Sequence, residues 1–155
     1  MPNGRNSISK PRFEPADSSL EIVVDRIMVA APKDVFRAWT EQFDTWFAAP
    51  GSLKMTAKVG EPFNFETEHE GIRHPHYGKF LELEPDRLVG MTWVTGRNGT
   101  WGAETVVRLE ISPAEPGSRI RLTHGGFYAA DAANQHGEAW LRVLEHLDDV
   151  LSETH

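Results

Sequence analysis

The sequence predicts an α+β fold: a curved antiparallel sheet of about six or seven strands wrapped around one long C-terminal helix, with two short helices after the first strand. Three observations carry this expectation. Between Pro50 and Gly125 the chain reads as strand after strand, with turn signals spaced too closely for parallel crossovers. From about Ala130 to Ser152 the apolar residues switch to helical spacing. The chain has 155 residues, the size of one domain built on one core.

The elements follow in order. Residues 1–18 carry Pro2, Pro11 and Pro15 among Ser, Asn and charged residues with no period, and read as a flexible N-terminal tail. Residues 19–155 read as a single domain. Leu20 to Val29 is β-branched and partly alternating, the pattern of a strand. Pro32 suits the first turn of a helix, where its missing N–H costs nothing. Val35, Phe36 and Trp39 fall at helical spacing, and Phe43, Trp46 and Phe47 repeat it, which gives two short helices in series with one aromatic side.

Turn signals then fall at Val59-Gly60-Glu61-Pro62, Glu70-Gly71, Glu84-Pro85-Asp86-Arg87, Arg97-Asn98-Gly99 and Ser112 to Gly117. Asn98-Gly99 is the strongest hairpin mark, because both residues tolerate positive φ. Phe63, Phe65, Thr67 and His69 share one strand face. Thr105, Val107, Leu109 and Ile111 share another, and Ile120, Leu122 and His124 a third. Around Gly78 to Leu83 the period slips, which signals a bulge. In the last segment Trp140, Leu144, Leu147 and Leu151 form one stripe, while Glu138, Arg142, Glu145, Asp148 and Asp149 are read onto the opposite side.

Composition excludes several classes of function. There are no cysteines, so thiol nucleophiles, disulfides and Cys-type zinc sites drop out. The net charge of −7 makes nucleic acid and anionic lipid poor partners. No apolar run reaches the ~18 residues of a membrane span. The N-terminus has no apolar stretch of the secretory kind, and a cytoplasmic location is the default. No serine sits in a Gly-x-Ser-x-Gly elbow, and His124-Gly125-Gly126 opens no helix in phosphate-loop register.

Four stretches in order resemble one family. They are Arg26 to Glu41, Gly78 to Val89, Ser118 to Phe127, and Trp140 with Leu144, Leu147 and Leu151. Together they are similar to the activator-of-Hsp90-ATPase-homologue branch of the START-like, or SRPBCC, superfamily, over roughly residues 20–152. The resemblance implies a helix-grip fold of the START-like, Bet v 1-like kind, with an internal cavity for an apolar or amphipathic small molecule. It implies no shared cofactor and no shared catalytic motif. Two departures touch the expected pocket wall. Ala139 stands where the family usually has Gly before the helix tryptophan, and Gly60-Glu61-Pro62 replaces a frequent double glycine. Hsp90 is not expected as a partner, because the separate chaperone-binding domain of the eukaryotic activators has only an 18-residue tail in its place here.

The expected site follows. Trp39, Phe43, Trp46, Phe47, Phe65, Trp93, Phe127 and Trp140 are the bulky residues aimed at the space between sheet and helix, where aromatics line small-molecule sites well. His124 points inward by its alternation with Ile120 and Leu122. It is the expected polar anchor and the best candidate for acid–base work in an alternative reading as a cyclase, dehydratase or hydrolase. His136, one helical turn before Trp140, is expected to face the same space. Asp44, Glu104 and Arg26 are weighed as inward charges, with an ion pair the plainer role for Arg26. His69, His74 and His76 fall within eight residues, but Pro75 disturbs a regular strand, so they read as an exposed polar hairpin and no metal site is expected. A third reading is a protein–protein or stress-response adaptor, with a homodimer left open.

Overall fold

The computed structural model describes residues 12–16, 19–96 and 99–153. Its elements are β1 (Arg12–Ala16), β2 (Ser19–Met28), α1 (Pro32–Thr40), a single 3-10 turn (Phe43–Thr45), β3 (Pro62–His69), β4 (Ile72–Glu84), β5 (Leu88–Thr95), β6 (Thr105–Ala114), β7 (Gly117–Phe127) and α2 (Ala130–Glu153). The strands form one seven-stranded antiparallel sheet in the order β1-β2-β7-β6-β5-β4-β3. The sheet curves around α2, as the meander and the closing helix require.

β2, β3, β6 and β7 bury the face that their alternation predicts. Ile22, Val24 and Met28 of β2, Phe63 and Phe65 of β3, Val107, Leu109 and Ile111 of β6, and Ile120, Leu122 and His124 of β7 are all buried. β5 is buried on both faces over most of its length, with α1 packed against it. The suspected irregularity in β4 is present: the pairing with β5 shifts between Phe80 and Glu82, which turns Leu81 outward. Gly78 sits just before it on the inward face. A Cβ there would collide with the carbonyl oxygen of Thr92 and with the ring of Phe63, so only glycine lets β3, β4 and β5 close up at this point.

Three expectations need adjusting. β1 falls inside the segment expected to be a tail, and it extends the sheet by pairing with β2 from Arg12↔Val23 to Ala16↔Ser19. Pro15 within it and Pro11 just before it in sequence hid it, and an edge strand is where a proline is tolerated. The rest of that tail, residues 1–11 and 17–18, lies outside the described residues, as do Arg97 and Asn98 of the expected hairpin turn. The second short helix is only one 3-10 turn. Asp148, read as solvent-facing, is buried.

Asp148 fixes the helix to the sheet. One carboxylate oxygen accepts from the backbone N–H of Val29 at 3.0 Å, and the other from Arg26 Nη2 at 3.2 Å. Arg26 therefore holds the ion pair expected as its plainer role. Near the other end of α2, Ala132, Ala133, Gly137 and Trp140 are buried. The stripe Leu144, Leu147 and Leu151 packs into the main core.

Candidate functional site

The expected lining residues converge. Trp39, Phe43, Trp46, Phe47, Phe65, Trp93, Phe127, Trp140, His124 and His136 belong to one continuous network of ring contacts between α1, the 3-10 turn, the sheet and the first half of α2. Trp39 stacks on Trp140 at 5.7 Å. Phe47, Trp93 and Trp140 form a triangle with centroid separations of 5.8, 5.5 and 6.1 Å. Trp39 and Phe43 are wholly buried, whereas Phe47 and His136 are half-buried and mark where the network meets the surface.

His124 is fully buried, and its hydrogen bonds define its tautomer. The indole N–H of Trp140 donates to Nδ1 at 3.0 Å, so Nδ1 is the unprotonated nitrogen. Nε2 then carries the proton and donates to Thr105 Oγ1 at 2.8 Å, and the Thr105 hydroxyl donates onward to the carbonyl oxygen of Trp93. Burial first, and the neighbouring His136 second, push its pKa well below the usual imidazole range. Both nitrogens are thus committed inside the protein. His124 orients Trp140 and ties β7 to β6, and it has no lone pair left for a ligand or for a proton transfer.

The free nitrogens are on two other histidines. Nδ1 of His136 lies 2.9 Å from the carbonyl oxygen of Ala132. A carbonyl only accepts, so Nδ1 carries the proton and Nε2 keeps its lone pair. His76 repeats the arrangement: Nδ1 donates to the carbonyl oxygen of His74 at 3.0 Å, which leaves Nε2 as an acceptor. Burial lowers the pKa of His76 to about 4, against the raising effect of that hydrogen bond, and burial also lowers that of His136. Both are neutral at pH 7. Repulsion from His74 and from His136 adds a smaller lowering at His76.

His76 is the residue that the sequence reading missed. It belongs to the expected polar hairpin, yet it is buried, stacked on Phe65 at 4.9 Å and edge-on to Trp93 at 5.4 Å and Phe47 at 5.7 Å. The signal was its parity with Gly78 and Phe80 on β4, which Pro75 obscured. His69 is exposed and His74 half-buried, and no His, Asp and Glu group among the described residues converges as a metal site. Asp44 and Glu104 are exposed, so neither places an acid in the cluster. One donor stands apart: Trp39 Nε1 is buried and has no acceptor among the described residues.

Comparison with known proteins gives a family and a fold. The model of the family described as activator of Hsp90 ATPase homolog 1-like protein matches residues 29–152. No curated protein matches the sequence. Among solved structures, a Mesorhizobium loti protein is similar at 22% identity and a TM-score of 0.72, covering 87% of this chain and 98% of that one. A Chromobacterium violaceum protein is similar at 21% identity and a TM-score of 0.72, covering 84% and 96%. The Aha1 dimer from Colwellia psychrerythraea is similar at 20% identity and a TM-score of 0.63, covering 84% and 95%.

Proposed function

Given that this chain belongs to the family of activator of Hsp90 ATPase homolog 1-like proteins, a branch of the START-like, SRPBCC superfamily, we propose that it is a small-molecule binding module. Its ligand is an apolar or amphipathic molecule held between the sheet and the first half of α2. The observation that carries this reading is the concentration of aromatic rings with two unpaired imidazole acceptors where the network meets the surface. A core built for stability alone favours aliphatic packing, and its buried polar groups find partners, whereas here the Trp39 indole N–H is buried in the ring cluster without an acceptor among the described residues. Here Phe47, Phe65 and Trp93 surround His76, Trp140 packs on Trp93, and Phe127 abuts His136 at 4.7 Å. Phe47 lies in a turn rather than in a helix or strand, so it is the ring best able to swing aside for a guest.

The test is native mass spectrometry of gently purified protein, followed by a binding panel of fatty acids, sterols and polycyclic aromatics. A bound species or a panel binder, lost when Trp93 is replaced by Ala in a variant that still folds, supports the proposal. No bound species and no binder overturns it.

A second reading keeps the same site and adds chemistry. Nε2 of His76 and of His136 would then serve as general base, the role first expected of His124. The paired nitrogens of His124 favour this reassignment. No described helix is long and apolar enough to cross a membrane.

A further inference from the structure

The outer face of the sheet, turned away from α2, carries a groove of about 440 Å³ with four guanidiniums on its walls. Arg87 comes from the turn between β4 and β5, Arg108 from β6, and Arg119 and Arg121 from β7. Four of the chain's 16 basic residues thus gather in one place although its net charge is −7. Alternation puts the β6 and β7 arginines there, since Val107, Leu109, Ile120 and Leu122 point the other way and are buried. Arg87 is set by its turn. Its backbone N–H donates to the carbonyl oxygen of Glu84 at 3.0 Å, and its own carbonyl oxygen accepts from the Ile111 N–H at 2.8 Å.

The ion pairs on this face are uneven. Arg121 lies in register with Asp25 on one side and with Glu110 on the other. Cross-strand pairing would ordinarily give it one of these carboxylates. Each goes instead to a different arginine: Asp25 accepts from Arg119 at 3.3 Å, and Glu110 meets Arg108 at 3.1 Å. Arg108 also donates to Glu82 at 2.9 Å. Arg121 is left with no ion pair and no side-chain hydrogen bond among the described residues. Arg87 reaches Glu84 only at 3.8 Å, beyond hydrogen-bond distance.

We propose that this groove binds a phosphorylated sugar or polyol. The phosphate lies against Arg121, and Arg87 and Arg119 supply further donors to its oxygens, the geometry that guanidinium forks suit best. The volume is that of a small-molecule site rather than of a lone ion. Ser112 and Glu84 line the same groove and bring oxygens that accept from hydroxyls, while Leu88 offers apolar surface to a carbon skeleton. Glu84 and Glu110 in the wall also repel a long polyanion, so a compact phosphate ester fits where a nucleic acid does not. The groove is on the sheet face opposite the ring cluster, and this proposal stands independently of the one above.

Calorimetric titration at fixed ionic strength tests it, with glucose 6-phosphate, ribose 5-phosphate and glycerol 3-phosphate as probes and with glucose and inorganic phosphate as matched controls. The expected result is saturable binding of at least one ester, about tenfold tighter than inorganic phosphate, and none of glucose. Arg121→Gln should weaken that ester about tenfold. Arg142→Gln removes the same charge from an exposed position on α2 and should leave binding unchanged. Both positions are exposed, so both variants should fold, as circular dichroism would verify. No binding of any ester, equal binding of inorganic phosphate, or equal effects of the two variants overturns the proposal.

Discussion

His124 shows how much one inward residue can mislead. Its parity with Ile120 and Leu122 is enough to bury it, and it is buried. Its partners, Trp140 on α2 and Thr105 on β6, lie 16 and 19 residues away in sequence, and only the closed sheet brings them together. Both nitrogens are spent on that closure, so a residue legible as buried was not legible as occupied. His76 is the converse case. Pro75 made its segment read as an irregular loop, yet Pro75 is paired with Glu66 within β4 and leaves the inward parity intact.

These histidines make an acid-stability prediction. An imidazole in the unfolded chain titrates near 6.5. In the fold His124 and His136 lie below that, and His76 lies at about 4. Below pH 6.5 the unfolded state therefore binds more protons than the native state, and stability falls with falling pH. It is full above 6.5 and is lost progressively toward 4, by at most about 1.4 kcal/mol per pH unit for each fully lowered histidine. Urea midpoints should be level between pH 7 and 8 and drop between pH 6.5 and 5, with a shallower drop in His76→Phe. Midpoints that rise on acidification over that window contradict the protonation states assigned here.

At the scale of elements, periodicity identified α2 and its stripe of Trp140, Leu144, Leu147 and Leu151, and it placed the bulge in β4. It failed at Asp148, which neighbours the stripe and reads as polar surface until Arg26 and the Val29 N–H are seen to meet it. A single carboxylate therefore clamps the C-terminal half of α2 against the end of β2. Asp148→Ala would leave the Val29 N–H and a half-buried guanidinium without this acceptor. The expected loss is about 3 kcal/mol in chemical denaturation. A loss under about 0.5 kcal/mol, the range of an ordinary surface change, would mean that the helix is held by its apolar stripe alone.

At the scale of the whole molecule, the fold was almost wholly legible, because alternation and turn spacing leave few ways to arrange the strands against one helix. The ring cluster was legible as a set of inward positions. Which imidazole nitrogen in it is free was not, since that is decided by backbone carbonyls and distant hydroxyls rather than by residue type. Gly78 belongs to the same class of feature. Its necessity comes from Phe63 and Thr92 on two neighbouring strands.

The central claim is that a guest lodges between the sheet and the first half of α2. The chain's five tryptophans supply separate reporters for it. Trp93 and Trp140 lie at the site, Trp46 is anchored to the carbonyl oxygen of Ala38, and Trp101 is exposed on the loop between β5 and β6. The most direct measurement is an indole N–H nuclear magnetic resonance titration with the best binder of the panel. The account predicts saturable shifts of the Trp93 and Trp140 signals, with Trp46 nearly still. Movement of Trp101 alone, or of no indole at all at saturating probe, would contradict it.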